Sequence, residues 1–337
     1  MGERTTDAIA GLVFIILIIG LEYIHLDISF AKPYIWMFAI LFHAYVFGKH
    51  AFPKRHWLIT APMGLILVFA AQSVFQTIWF YSGHLLNHFS DAWTLVLALI
   101  CAHITTIHED NNNDVLAPST EETFLPWTNS RIVFATLLFL TALAAGLYVI
   151  VGAWQSQTMD AIRTPWPLLP SGTLAAIAII WITALLSAIK VRAAAVTAAH
   201  ASLAFVSTLS IAPLIYRIGY GFDGFLHIAG EKVLATSGTL NPKPFYYIGQ
   251  YVFVTWLSRI TQISLVDISK WLVPLAAAFL IPICLAFAYH RFKPKAGAAL
   301  VLILLPLSLF VGSTPQGFSL VLGITAVICA IGVTRKD

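Results

Sequence analysis

Residues 132–153 read IVFATLLFLTALAAGLYVIVGA, an apolar run without a single charge. A helix needs about 20 mostly apolar residues to cross the hydrocarbon core of a bilayer, and this stretch meets that length with nothing to interrupt it. Outward from it the pattern recurs. Ten segments qualify, at 8–24, 34–48, 57–80, 93–107, 132–153, 172–190, 194–214, 271–289, 297–313 and 316–334. Of the 337 residues, 59% are hydrophobic and only 10% are charged, and the mean hydropathy is +0.85. A soluble domain is about a quarter charged, so this chain has too few charges to cover a water-facing surface. A cytosolic enzyme, a nucleic-acid binder and a disordered chain are excluded together. The expected fold class is all-α, a polytopic transmembrane bundle of about ten spans.

The net charge of +4 matters less than its distribution. With the N-terminus in the cytoplasm, ten spans put Arg4, the Lys49-Lys54-Arg55 cluster, Arg131, Lys190 with Arg192, the Arg291-Lys293-Lys295 patch and Arg335-Lys336 on the cytoplasmic side, as the positive-inside rule asks. Counting Phe245–Leu257 as a further span would move the last two clusters outside. That segment is therefore expected as an interfacial or re-entrant helix on the outer face. Its rings, Phe245, Tyr246, Tyr247, Tyr251, Phe253 and Trp256, suit the headgroup boundary. His108–Arg131 reads as a flexible polar loop, and Gln155–Gly172, with TPWPLLP, as an outer stretch resting at the interface. Ala8–Ile24 reads as a retained span, since a mixed-charge leader precedes it and no small-residue cleavage site follows. Cys101, Cys284 and Cys329 are scattered through apolar runs without a CxxC, so neither a disulfide frame nor a thiolate metal site is expected.

One segment is dense in polar residues: Tyr216–Pro244, YRIGYGFDGFLHIAGEKVLATSGTLNPKP. Asp223, His227 and Glu231 are spaced i, i+4 and i+8, which keeps them near one face of a helix. Phe225, Leu226, Ile228, Val233 and Leu234 give that helix an apolar surface, so it is expected to lie on the membrane. Ser237-Gly238 would end it and Asn241–Pro244 would turn the chain back. A carboxylate one turn from a histidine can be a surface ion pair, the reading the spacing alone favours, or an acid/base pair or part of a divalent-metal site. For the metal the candidate ligands are Asp223, His227 and Glu231.

The stretch DGFLHIAGEKVLATSGTLNPKPFYYIGQY, from Asp223 to Tyr251, resembles the first external loop of the polyprenyl-phosphate-dependent GT-C glycosyltransferases, a superfamily that includes aminoarabinose transferases and protein mannosyltransferases. In that family an acid follows an outgoing helix, then come a short amphipathic helix, a small-Gly turn and a Lys-Pro-aromatic stretch. The later part of the chain is also similar: an interfacial aromatic helix, an inward span, the basic patch His290–Lys295 and an outward span. The resemblance runs from Ala194 to the C-terminus. It implies a six-span N-terminal region, 1–193, ahead of a GT-C-like region, 194–337, with an outer loop at 216–270 and three further spans.

Carried over by position, Asp223 matches the family's first-loop acid, a general base or metal-organising carboxylate. Lys243 matches the lysine that faces the lipid-linked phosphate. Glu231 falls where some relatives keep an acid, and Arg217 is a second cation for the phosphate. His227, Glu231 and Tyr247 are further candidates for binding substrate. The implied partners are a polyprenyl-phosphate-linked sugar and the bilayer, with no nucleic acid. No cofactor is implied beyond a candidate divalent metal. The chain departs from the pattern at Gly224, where many relatives carry a second acid, and at Ser313–Phe318, which lacks an acid. It also ends with fewer spans than the family's module holds, so a piece of a longer protein is expected. The expected function is sugar transfer to an acceptor on the non-cytoplasmic side of the plasma (inner) membrane, with both termini cytoplasmic. The alternatives are a transporter or flippase and a non-catalytic scaffold.

The remaining polar residues have plainer expectations. Glu22 snorkels near His25, Asp27 and Asp91 are solvated loop acids, and His43, His103 and His200 are packed within helices. His84 and His88 form a pair without a third ligand, and Gln72 and Gln76 bond a neighbouring helix.

Overall fold

The structure, a computed structural model, describes residues 3–23, 32–52, 57–109, 128–160, 162–220, 222–243, 246–289, 305 and 307–333. Among these there is no β-strand. In chain order the helices are α1 (Glu3–Tyr23), α2 (Lys32–Ala51), α3 (Trp57–Tyr81), α4 (His88–Glu109), α5 (Asn129–Gln155), α6 (Thr173–Leu186), α7 (Ala194–Leu209), α8 (Ile211–Ile215), α9 (Phe222–Ser237), α10 (Ile248–Thr261), α11 (Leu265–Ala288) and α12 (Pro315–Val333). Among the described residues, five stretches are long and apolar enough to cross a membrane: Thr60–Tyr81, Asn129–Gln155, Thr173–Val191, Leu265–Ala288 and Pro315–Gly332. They are consistent with an integral membrane protein. The first half of the expected span at 297–313, the basic patch at 290–295 and most of the loop at 108–131 lie outside the described residues. So do His25, Asp27 and the side chains of Glu22 and His103. The later part of the span expected at 297–313 holds a short 3-10 turn, Leu307–Phe310.

The chain divides into two compact units that interleave in sequence. Unit 1 is Met1–Pro118 with Leu226–Ser269, and unit 2 is Ser119–Phe225 with Lys270–Asp337. The boundary expected at 193/194 falls inside unit 2. The chain returns to unit 1 because α10 packs on α2 and α3.

In unit 1, α2 and α3 touch backbone to backbone. A Cβ on Gly48 would land on the Thr60 carbonyl, and one on Gly64 on the Ala44 carbonyl. Small residues one turn apart on each helix permit this approach, a device also found in membrane helix pairs. Asp7 of α1 meets Lys49 Nζ at 3.2 Å and His50 Nε2 at 3.5 Å, so the start of α1 and the end of α2 share an end of the unit. The rings of α10 divide between interior and surface: Tyr251, Phe253 and Trp256 are buried, and Phe69 of α3 stacks edge-on to Phe253 at 5.1 Å. Of the rings expected at the headgroup boundary, Tyr246 and Tyr247 are exposed. From Val252 to Trp256 every residue of α10 is buried, Thr255 included, so this part of the helix is enclosed on all sides.

In unit 2, Val149, Ile180, Ala204, Ile211 and Ile215 form the core of α5–α8. The ends of the helices sort into two groups. At one end, Arg131 donates to the Val191 carbonyl and Tyr289 Oη to the Ala188 carbonyl at 3.2 Å. Toward the other, the Thr158 N–H reaches the Ile215 carbonyl at 2.9 Å and Tyr216 Oη donates to the Ile162 carbonyl at 3.4 Å. α11 and α12 run parallel: the Val273 N–H bonds Ser313 Oγ at 3.0 Å near their starts, and Phe287 packs on Gly332 near their ends.

Candidate functional site

α9 starts at Phe222 and stops at Ser237, where Gly238 takes φ +70°. Only glycine adopts that conformation readily, and it closes a helix by returning its N–H to the last turn. Here the Gly238 N–H bonds the Leu234 carbonyl at 2.9 Å, and the Gly238 carbonyl accepts from the Leu86 N–H at 3.0 Å. Both the short helix and its stop at Ser237-Gly238 are as the sequence predicts.

The orientation of α9 is the unexpected part. Asp223, in its first turn, is exposed, but His227 is 8% exposed and Glu231 is fully buried. Phe225, Leu226 and Val233 point outward, at 46%, 60% and 48% exposure. Outward apolar side chains suit a helix whose surroundings are lipid. The inward face meets α10. His227 Nδ1 and Tyr251 Oη share a hydrogen bond of 2.9 Å, and the His227 and Tyr247 rings lie 5.1 Å apart. Gln250 Nε2 donates to Glu231 Oε1 at 3.1 Å. Burial pushes the Glu231 carboxyl up to about 7, against the opposing pull of its hydrogen bonds from Gln250 and Ser269. Burial also pushes the Tyr251 phenol up to about 12, helped by the neighbouring Glu231 and Tyr247.

Lys243 is exposed, and its Nζ is already engaged. It donates to the Phe80 carbonyl at 3.1 Å and sits 5.1 Å above the centroid of the Phe80 ring. A cation on the last carbonyls of α3 complements the negative end of that helix. Arg217 is exposed, and its backbone N–H bonds the Thr158 carbonyl at 3.3 Å. Unit 1 therefore holds His227, Glu231, Lys243 and Tyr247, with His227 and Tyr247 in contact, while Arg217 and Asp223 belong to unit 2. Among the described residues, no three or more His, Cys, Asp or Glu side chains gather where a metal ion could be held.

A second polar centre in unit 1 contradicts the reading of Asp91 as a solvated loop acid. Asp91 is fully buried. Its carboxylate takes a two-pronged contact from Arg259, Nε to Oδ2 at 2.8 Å and Nη2 to Oδ1 at 2.6 Å. Gln76 Nε2 donates to Asp91 Oδ1 at 2.8 Å and to Thr94 Oγ1 at 3.3 Å, so Gln76 does bond a neighbouring helix. The overlooked signal is the cap of α4: the Ser90 N–H bonds Asn87 Oδ1 and the Asn87 N–H bonds Ser90 Oγ, each at 3.0 Å. That reciprocal cap starts the helix before Asp91. His43 and His200 bond the carbonyls of Ala39 and Val196 one turn back and are packed as expected. His84 and His88 are exposed, and the His84 ring lies 4.8 Å from that of Trp79.

Compared with known protein families, curated proteins and solved structures, the chain matches none.

Proposed function

We propose that this chain belongs to a membrane glycosyltransferase that moves a sugar from a polyprenyl-phosphate carrier to an acceptor on the non-cytoplasmic side, in the manner of the GT-C enzymes. One observation carries the reading: an exposed acid opens α9, the helix stops at a left-handed glycine, and an exposed lysine follows on the return. That is the order of parts in the external loop the sequence resembles. In this reading Asp223 takes the proton of the acceptor hydroxyl. Lys243 steadies the negative charge left on the carrier phosphate; an ammonium has three donors, and the Phe80 carbonyl uses one. Arg217 adds positive charge, and Tyr247 offers the sugar a half-open ring beside His227. Glu231 supports the α9–α10 contact. The membrane is the plasma (inner) membrane, with the basic clusters and both termini in the cytoplasm.

The test is transfer of radiolabelled sugar from a polyprenyl phosphate by the full gene product in liposomes. Asp223→Asn is expected to lower transfer by about 100-fold or more, and Lys243→Ala to lower it less. Transfer unchanged by Asp223→Asn overturns the reading.

A transporter or flippase of a lipid-linked or small substrate is favoured by a separate observation, the ionisable side chains of Asp91, Arg259 and Glu231 inside unit 1, since such groups within membrane bundles mark substrate or ion paths. Uptake or flipping by proteoliposomes that transfer no sugar would select it.

A further inference from the structure

The sequence scatters its cysteines, yet the fold brings two together. The sulfurs of Cys284 in α11 and Cys329 in α12 lie 3.4 Å apart and are not joined in a disulfide. A disulfide needs its sulfurs at about 2.05 Å and its Cα atoms within about 4.4–6.8 Å. The two backbones approach closely at Gly332, where an added Cβ would come within 3.3 Å of Ala288 Cα. Each cysteine sits about one helical turn before that crossing, on parallel helices, so the thiols face each other in register. They also differ in access: Cys284 is fully buried and Cys329 is half-buried.

We propose that Cys284 and Cys329 form a disulfide-closing dithiol, with Cys329 the thiol that an incoming disulfide reaches and Cys284 the thiol that resolves it. The oxidant is a small apolar disulfide able to enter the bilayer. In the first step the Cys329 sulfur attacks it; the oxidant's S–S bond breaks, one half leaves as a thiol with the Cys329 proton, and a mixed disulfide remains. In the second step Cys284 attacks the Cys329 sulfur, and the other half leaves as a second thiol with the Cys284 proton. Two S–H bonds are lost, one S–S bond is gained, and the oxidant is reduced to two thiols. The product ties α11 to α12 and stands apart from the transferase reading.

The experiment treats the full chain, carrying Cys101→Ser, with an aromatic dipyridyl disulfide in detergent micelles and follows released pyridinethione and protein mass. The expected result is two thiones per chain, no retained adduct, a mass lower by about 2 Da and a joined peptide pair that dithiothreitol separates. Adding Cys284→Ser should stop the reaction after one thione, with the adduct held on Cys329. Adding Cys329→Ser should leave Cys284 unreacted until the protein is denatured. Adducts retained on both cysteines of the Cys101→Ser protein, which leaves the pair itself unaltered, would overturn the proposal. So would a Cys284 that reacts as fast without Cys329 as with it.

Discussion

Asp91 and Arg259 come from segments 168 positions apart and meet in the interior of unit 1 through two short hydrogen bonds. Removing one partner of such a pair strands a buried charge at about 3–5 kcal/mol, whereas replacing both with apolar residues of similar volume is often neutral. Arg259→Ala should therefore lower the unfolding temperature in detergent markedly, and Asp91→Leu with Arg259→Met should restore most of the loss. A double variant no better than the single one would refute that account of the pair. Glu231 makes stability depend on pH. Its carboxyl titrates near 7 when folded, against an ordinary 4.5, so between these values the folded chain keeps a proton that the unfolded chain has released. The contribution is complete below about pH 4.5 and declines as the pH rises, with about 3 kcal/mol gone above pH 7. Unfolding followed from pH 4.5 to 8 should show that slope in the native chain and a flatter one in Glu231→Gln. The spacing of His227 and Glu231 is readable from the sequence, but which way that face turns is not. Burial of a carboxyl depends on Gln250 and Ser269, which no local pattern connects to it.

Among the elements, the tightest fit is the crossing of α2 and α3 at Gly48 and Gly64. Both glycines are needed for close approach rather than for an unusual backbone, so any side chain must push the helices apart. Gly64→Leu should cost more than about 2 kcal/mol, read as a loss of folded protein in detergent. Gly323, whose added Cβ would meet nothing within 4 Å, should accept leucine freely. α9 was legible because its start and stop are local: an acid in the first turn, and a glycine where the chain must become left-handed. Which rings of α10 turn inward was not. Rings at a headgroup boundary and rings in a protein core have the same composition, and only the packing of Phe253 and Trp256 against Phe69 tells them apart. The lone Arg259 in that aromatic run is the clue that a buried acid waits for it.

At the scale of the whole chain, the pairing of ends within unit 2 agrees with the charge pattern. Arg131 meets the carbonyl of Val191, between Lys190 and Arg192, while Tyr216 bonds Ile162, a residue expected on the opposite face. Lys and Arg counts bear on sidedness because charge governs insertion. They say nothing of how the chain interleaves into two units, which depends on contacts made far apart in sequence. The central claim is that the start of α9 lies on the non-cytoplasmic side, opposite the basic ends. The direct measurement is labelling by a membrane-impermeant maleimide in a background with Cys101, Cys284 and Cys329 replaced by serine, using Asp223→Cys and Lys190→Cys separately, both at exposed positions. The account predicts that position 223 reacts in right-side-out vesicles and position 190 only in inverted ones. Labelling of both positions from the same side, or of position 223 from the cytoplasmic side alone, would contradict it.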